Sequence, residues 1–361
     1  MKLILKIKLN PTTDQSKLLY STIIETNLAC NAISQDGWDN EIFKQFKLHH
    51  LCYYKIKKSF NLTSQIVVRA ISKVSDAYKV NKTKLAKFKE LGSICYDSRV
   101  LKYKSDAIVD IWTVGGRQKI RFSYHNKGYF PYIKGEADLV YKKGKFYLFQ
   151  TIEFPEPPIE SVQEFIGVDL GLTDIAVTSD GIKHSADRIN NYREKRQNIR
   201  SSIQRKGTKG AKKLLKRLSG RESTTATIIN HTISKSIVES AKNQNKGISI
   251  EDLTNIRTTS KRRNRKFRTK LGRWSFYQLR SFLEYKSRLS GVRFVVVNPA
   301  YTSQTCSSCY YIGTRTNKSF KCKNCGNNMD ADANASLNIA TLGAVINQPE
   351  KSEIYSCAVH F

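Results

Sequence analysis

The stretch Ile166-Gly-Val-Asp169-Leu-Gly-Leu sets a carboxylate inside an aliphatic run. An ionised acid in a buried strand costs several kcal/mol unless a partner or cation compensates, and a metal site would supply that compensation. A second aliphatic run, Gly247-Ile-Ser-Ile-Glu251, also ends in an acid. A third acid, Asp332, lies in Asp330-Ala-Asp-Ala-Asn-Ala-Ser-Leu-Asn-Ile-Ala, where small residues and the spacing of Leu337 and Ile339 predict a helix starting near residue 332. Singly, each has an ordinary explanation: Asp169 as a turn cap, Asp332 as a first-turn acid that favours the helix. Together they point to phosphodiester chemistry, because magnesium or manganese prefers oxygen ligands and two-metal cleavage needs carboxylates converging on ions about 3.5–4 Å apart. Asp169, Glu251 and Asp332 are therefore the expected catalytic acids and magnesium (or manganese) ligands.

Between the second and third acids stand Cys306-Ser-Ser-Cys309 and, twelve residues on, Cys322-Lys-Asn-Cys325-Gly. Two such pairs can close a tetrahedral thiolate site, and zinc with four sulfur ligands is structural because no position is left for water. An iron–sulfur or redox site would need a context that is missing here. Tyr310, Tyr311, Arg315, Lys318, Phe320, Lys321 and Lys323 surround the pairs and could touch nucleic acid or simply clothe a small surface. Cys30, Cys52, Cys95 and Cys357 read as reduced thiols, the first three packed as small apolar side chains.

Lysine and arginine number 62 against 30 acids in 361 residues, a formal charge of +32. A large polyanion accounts for this better than an ordinary basic surface: phosphate backbones reward positive charge by counterion release, and 18 tyrosines and 16 phenylalanines offer stacking surfaces. No run approaches the roughly 20 apolar residues of a membrane span, and the opening Met1-Lys-Leu-Ile-Leu-Lys-Ile-Lys is no signal peptide; a cytoplasmic protein, nucleoid-associated when bound to DNA, is expected.

The acids must be carried by suitable elements. Residues 2–9 alternate Leu3, Leu5, Ile7 and Leu9 with lysines, a strand that Pro11 ends. Helical periodicity continues from there to about Lys79, with Val67, Ala70, Ile71, Val74, Ala77 and Tyr78 on one stripe and Thr63 or Ser64 as cap. Short β-runs at 107–114, 118–124, 137–141 and 145–152 then suggest, with the first strand, a small β-barrel. Three of the seven prolines fall in Phe154-Pro-Glu-Pro-Pro-Ile-Glu, the expected domain boundary. Beyond it come a strand and hairpin (166–183), basic helices at about 186–219 and 224–243, a strand at 247–251, a helix around 274–289, a strand at 293–297, the cysteines and a last helix at about 332–342.

The order GVDLGL, IEDL, TSQTCSSC, KCKNCG and DADANASLNIA, across residues 160 to 342, resembles the TnpB family of compact RNA-guided DNA endonucleases, encoded by insertion-sequence transposons and related to type V CRISPR effectors. The resemblance implies an α/β architecture: an RNase H-like (RuvC) catalytic core at 158–301 and 328–345 with an inserted zinc ribbon at 302–327, a wedge β-barrel at 1–11 and 85–157, a helical recognition insertion at 12–84 and a tail at 346–361. It carries the metal-binding role onto Asp169, Glu251 and Asp332. It also implies a guide RNA from the transposon end and a target duplex bearing a short adjacent motif. By analogy Tyr53, Tyr54, Gln65 and Arg69 could read that motif, while basic stretches with Arg188, Arg196, Lys212, Lys213, Arg217, Arg262, Arg263 and Arg265 would line an RNA and heteroduplex channel. Ala331 stands where the family usually has arginine and Ser336 where it has alanine; neither change removes a ligand. Two alternatives stay open: a nuclease-inactive RNA-guided repressor, and an RNase H-like transposase acting directly on transposon ends.

Overall fold

In the computed structural model, which describes residues 1–254 and 276–346, the alternating start of the chain forms β1 (Lys2–Asn10), with Leu5, Ile7 and Leu9 buried. Thr12 and Gln15 form a reciprocal capping box that starts α1 (Thr13–Asp39). The helical periodicity resolves into three helices, α1, α2 (Gln45–Ser59) and α3 (Ser64–Val80), with Thr63 capping the last. The α3 stripe is buried as the spacing predicts, except that Ile66 and Ser75 join it and Ala77 lies at its margin.

Strands β2 (Ile94–Tyr96), β3 (Leu101–Tyr103), β4 (Ile108–Thr113), β5 (Gly116–Ser123), β6 (Ile133–Lys142) and β7 (Lys145–Glu153) join β1 in one antiparallel sheet, ordered β2-β6-β7-β1-β5-β4-β3. Its edges, β2 and β3, are consecutive in sequence and separated only by residues 97–100, so the sheet must curl until they meet. Tyr96 bridges the seam by donating its hydroxyl to the Trp112 carbonyl (3.0 Å), and Tyr103 donates to buried Gln150 on β7 (3.0 Å). A nearly closed sheet is the result. Its two shortest strands leave no legible alternation in the sequence.

The chain divides into two compact units, Met1–Pro155 and Glu156–Phe361. In the second, β8 (Phe165–Asp169), β9 (Asp174–Thr178) and β10 (Lys183–Ser185) form an antiparallel meander. The basic region Ala186–Ser219 breaks at Gly207 (φ +63°) into α4 (Asp187–Arg205) and α5 (Lys209–Leu218). Then come α6 (Arg221–Asn243), β11 (Gly247–Glu251), α7 (Phe276–Ser290) and β12 (Phe294–Val297). β11 lies parallel to both β8 and β12, giving the order β10-β9-β8-β11-β12. Among the described residues no helix is long and apolar enough to cross a membrane.

Strand periodicity divides this sheet into two faces. Ile166, Val168, Ile248 and Ile250 pack with Ile233 and Ile237 of α6 and Leu279 and Leu283 of α7. The alternate residues are small: Gly167 and Ser249 receive the final helix, α8 (Ala331–Ile346). A Cβ on Gly167 would sit 2.0 Å from the Ser336 carbonyl oxygen and 2.4 Å from the Ala340 nitrogen, so helix and strand meet backbone to backbone. Ser249 donates its hydroxyl to the Ile339 carbonyl at 2.8 Å.

So close a meeting leaves no room for a methyl group. Gly167→Ala is expected to cost more than about 3 kcal/mol, since backbone must shift on both sides. Gly210→Ala on α5, where only the Thr208 hydroxyl comes as near as 4.0 Å, should instead gain up to about 1 kcal/mol of helix propensity; urea denaturation of both variants separates packing from a generic glycine effect.

Candidate active site

Asp169 and Glu251 are the last residues of two parallel neighbours, β8 and β11, whose register pairs Val168 with Ile250. Alternation turns both side chains to the α8 face. Asp332 arrives there from the first turn of α8. The ordinary capping role falls to Asp330, whose Oδ1 accepts from the backbone N–H of Asp332 and of Ala333, each at 3.0 Å. Asp332 is thereby spared for the site.

Burial and charge act differently on these groups. Burial, then the charges of Glu251 and Asp332, push the Asp169 carboxyl up from 3.8 to about 8, with Arg315 opposing. Burial also raises Glu251, resisted by a hydrogen bond from the Thr302 hydroxyl to its Oε1 and by Arg315. Arg315 extends from the cysteine-bearing insertion and its Nη2 donates to Asp332 Oδ1 at 2.8 Å. Neither Thr302 nor Arg315 stands out in the sequence as an active-site group: the first merely comes after a strand, the second is one of many surface cations. The carboxylates are less tightly gathered than the thiols, since among the described residues only the four cysteines bring their ligand atoms all within 4.8 Å of one another.

Those cysteines stand on two equivalent turns. Tyr310 N–H donates to the Cys306 carbonyl (2.9 Å) and Cys306 N–H to the Tyr311 carbonyl (2.8 Å); Gly326 N–H donates to the Cys322 carbonyl (3.1 Å) and Cys322 N–H to the Asn327 carbonyl (2.8 Å). The residue after each pair takes a left-handed conformation, Tyr310 at φ +59° and Gly326 at +75°. The Cys306–Cys325 and Cys309–Cys322 sulfurs are 3.6 Å apart, close to the edge of about 3.8 Å of a tetrahedron with Zn–S bonds of about 2.3 Å. Burial opposes ionisation of Cys306, but the N–H groups of Cys309 and Ser308 and the Asn327 side chain outweigh it and bring the thiol down to about 6. The Asn324 side chain and the Tyr311 N–H lower Cys309 as well. The cluster fits structural zinc.

Strands β13 (Thr314–Thr316), β14 (Ser319–Lys321) and β15 (Asn328–Asp330) complete this ribbon around fully buried Phe320. Ion pairs hold it to the sheet: Lys318 at the hairpin turn to Asp174, and Lys183 to Asp330 at 2.9 Å. The two departures from the family pattern are accommodated. Ala331 is buried against the ribbon core, and the Ser336 hydroxyl donates to the Ala333 carbonyl at 2.8 Å.

The suggested nucleic-acid residues are placed unevenly. Tyr54 on α2 is 84% exposed, whereas Tyr53 stacks on His49 with ring centroids 4.6 Å apart. Gln65 is bonded to Asp97 and Arg99, and Arg69 to Glu136 and Cys95, all within the first unit. Arg188, Lys212, Lys213 and Arg217 are exposed on α4 and α5, and Arg196 packs on Tyr192 with its guanidinium 5.2 Å from the ring centroid. Arg262, Arg263 and Arg265, like Cys357 and nearly all of the tail, lie outside the described residues.

Comparison with known proteins places these features. Residues 276–339 match the family model of the Cas12f1-like TNB domain. A TnpB-like protein of Methanocaldococcus jannaschii is 35% identical over 150 residues, 41% of this chain and 54% of that protein. The CRISPR-associated endodeoxyribonuclease Cas12f1 of Sulfoacidibacillus thermotolerans is 32% identical over 221 residues, 55% of this chain and 50% of the relative. The chain thus spans about half the length of these curated relatives. The cryo-EM structure of a Cas12f1–sgRNA–target DNA complex superposes with a TM-score of 0.62 at 16% identity, over 90% of this chain and 81% of that one, a likeness of fold. The chain is a homologue of the TnpB-like and Cas12f proteins.

Two measurements probe the site. One zinc per chain is expected by metal analysis, and its removal by a chelator, or Cys322→Ser, should unfold the ribbon and lower the melting temperature. For Asp169, the folded state keeps a proton up to about pH 8 that an ordinary carboxyl at 3.8 releases. Divalent-free protein should therefore lose stability as pH rises from about 4 to 8. Asp169→Asn should flatten that slope and be the more stable form at pH 8, read by melting temperature against pH in buffer without added magnesium or manganese.

Proposed function

We propose that this chain is an RNA-guided, metal-dependent DNA endonuclease with an RNase H-like (RuvC) core. The observation that carries the reading is that the parallel neighbours β8 and β11 end in Asp169 and Glu251, while α8, packed on the same face of the sheet, holds Asp332 in its first turn. The strand order β10-β9-β8-β11-β12, a meander followed by two strands parallel to its first member, supports the RNase H-like assignment.

The donor set suits divalent cations: all oxygens, partly buried and mutually repelling, with Arg315 as the nearby positive charge. Asp169, Glu251 and Asp332 would hold magnesium or manganese, which when bound supplies an activated water and neutralises charge on the phosphate. The chain's own groups do the rest. Thr302 fixes the orientation of Glu251 by donating to Oε1. Arg315, one-third exposed, can offer planar paired donors to non-bridging phosphate oxygens, where charge builds as the bond breaks. Guide RNA and target double-stranded DNA would be held by the excess positive charge, with the exposed cations of α4 and α5 facing a backbone.

The nuclease would be encoded by an insertion-sequence transposon, act in a prokaryotic cytoplasm, take its guide from the transposon end and require a short motif beside the target. Tyr54 offers the most open side chain for reading that motif. Gln65 and Arg69 would first have to exchange their present partners.

The test is cleavage by protein purified with co-expressed RNA, supplied with magnesium and a matching duplex. Asp169→Ala, Glu251→Gln and Asp332→Asn should each reduce the rate by at least about a thousandfold, and Arg315→Ala by about ten- to a thousandfold. Duplex bound but never cut by the unaltered chain would indicate a repressor, and RNA-independent joining of transposon ends a transposase; either result defeats the proposal.

A further inference from the structure

The helices between the first two acids enclose a cavity of about 490 Å3, within the span of about 300–1,000 Å3 common for small-molecule sites. None of the three acids or four ribbon cysteines lines it. Part of the lining is aliphatic, from Ile199 of α4 and Leu215 and Leu218 of α5, and Ile199 remains 45% exposed although it borders this space. Much of the rest is cationic. Arg193, nine-tenths buried, is held by Glu222 at 3.2 Å, which neutralises the one acid in the lining. Arg196 is anchored on Tyr192, its Nε donating to the phenol oxygen at 3.1 Å. Arg200 and Arg221 also line the cavity, and no carboxylate pairs with either among the described residues.

A lining that combines aliphatic side chains with several guanidinium groups suits a molecule that is flat and apolar at one end and anionic at the other. The aliphatic part accepts the faces of a heterocycle, and arginine matches the paired oxygens of a phosphate better than any other side chain. The first turn of α6 borders the same space, and its N-cap, Gly220 at φ +80°, brings no side chain to its N–H groups. This adds a weaker attraction for anions to that of the arginines.

We propose that this cavity binds one nucleotide unit, the phosphate on Arg200 and Arg221, the base against Ile199, Leu215 and Leu218. The inference goes beyond the nuclease reading and does not depend on it. A free mononucleotide and an unpaired residue of a nucleic-acid strand share this chemistry.

Calorimetric titration of the full chain with adenosine 5′-monophosphate, without added magnesium or manganese and at salt high enough to screen general surface attraction, tests it. Saturable binding is expected, with inorganic phosphate alone and adenosine alone each weaker by at least about tenfold. The double variant Arg200→Gln/Arg221→Gln should lose at least about tenfold in affinity. Leu215→Trp, which fills the cavity without changing charge, should lose as much. Asp169→Asn should bind as the unaltered chain does, separating this site from the nuclease. A single-stranded pentamer that binds better than the mononucleotide, and loses that advantage when its central base is removed, identifies a strand as the source; the reverse order identifies the free nucleotide. Absence of saturable binding, phosphate binding as tightly as the mononucleotide, or full affinity in folded Leu215→Trp would overturn the proposal.

Discussion

The contact on which the second unit depends is the one between α8 and the sheet at Gly167. Helix and strand approach until there is no space for a Cβ, and this intimacy carries Asp332 to the strand ends where Asp169 and Glu251 emerge. A larger residue at 167 or 249 would lift the helix and disperse the acids. Small side chains here are therefore a condition of the acids' convergence, as well as of packing. The composition of α8, with buried Ala335, Ser336 and Gly343, answers the same demand from the other side.

Bringing three acids together destabilises the metal-free fold, and the structure meets this cost locally. Asp169 binds its proton more tightly, Glu251 takes a hydrogen bond from Thr302, and Asp332 is paired with Arg315. Since Arg315 stands on β13, ribbon and acid cluster form one electrostatic assembly. The four sulfurs hold the ribbon's shape, and Lys318 and Lys183 tie it to Asp174 and Asp330. Ribbon and acid cluster are thus coupled through a few side chains, and a ribbon that lost its shape would withdraw Arg315 from Asp332.

The first unit solves a different problem. Its sheet interrupts β1 and β2 with three helices, then curls until its edge strands, joined by four residues, lie together. Gln65 and Arg69, suggested as readers of nucleic acid only by analogy with the family the sequence resembles, are occupied in fastening α3 to neighbouring segments. A surface-directed residue type is weak evidence of a ligand when acids from remote strands stand opposite it.

By itself the sequence determined the features that local pattern dictates. Alternation marked β1; aliphatic runs marked β8 and β11; spacing marked the α3 stripe and the two cysteine pairs; an acid within an aliphatic run marked Asp169 and Glu251, because burial of charge needs a reason wherever it occurs. The break at Gly207, the three-residue strands β2 and β3, and the exchange of roles by which Asp330 caps α8 and frees Asp332 were decided only in three dimensions. So were the parts of Thr302 and Arg315, which depend on partners 51 and 17 residues away. A hydrogen bond or ion pair between distant segments leaves no periodicity in the chain, since it is the packing of α8 and the ribbon, and no local preference, that brings its two ends together.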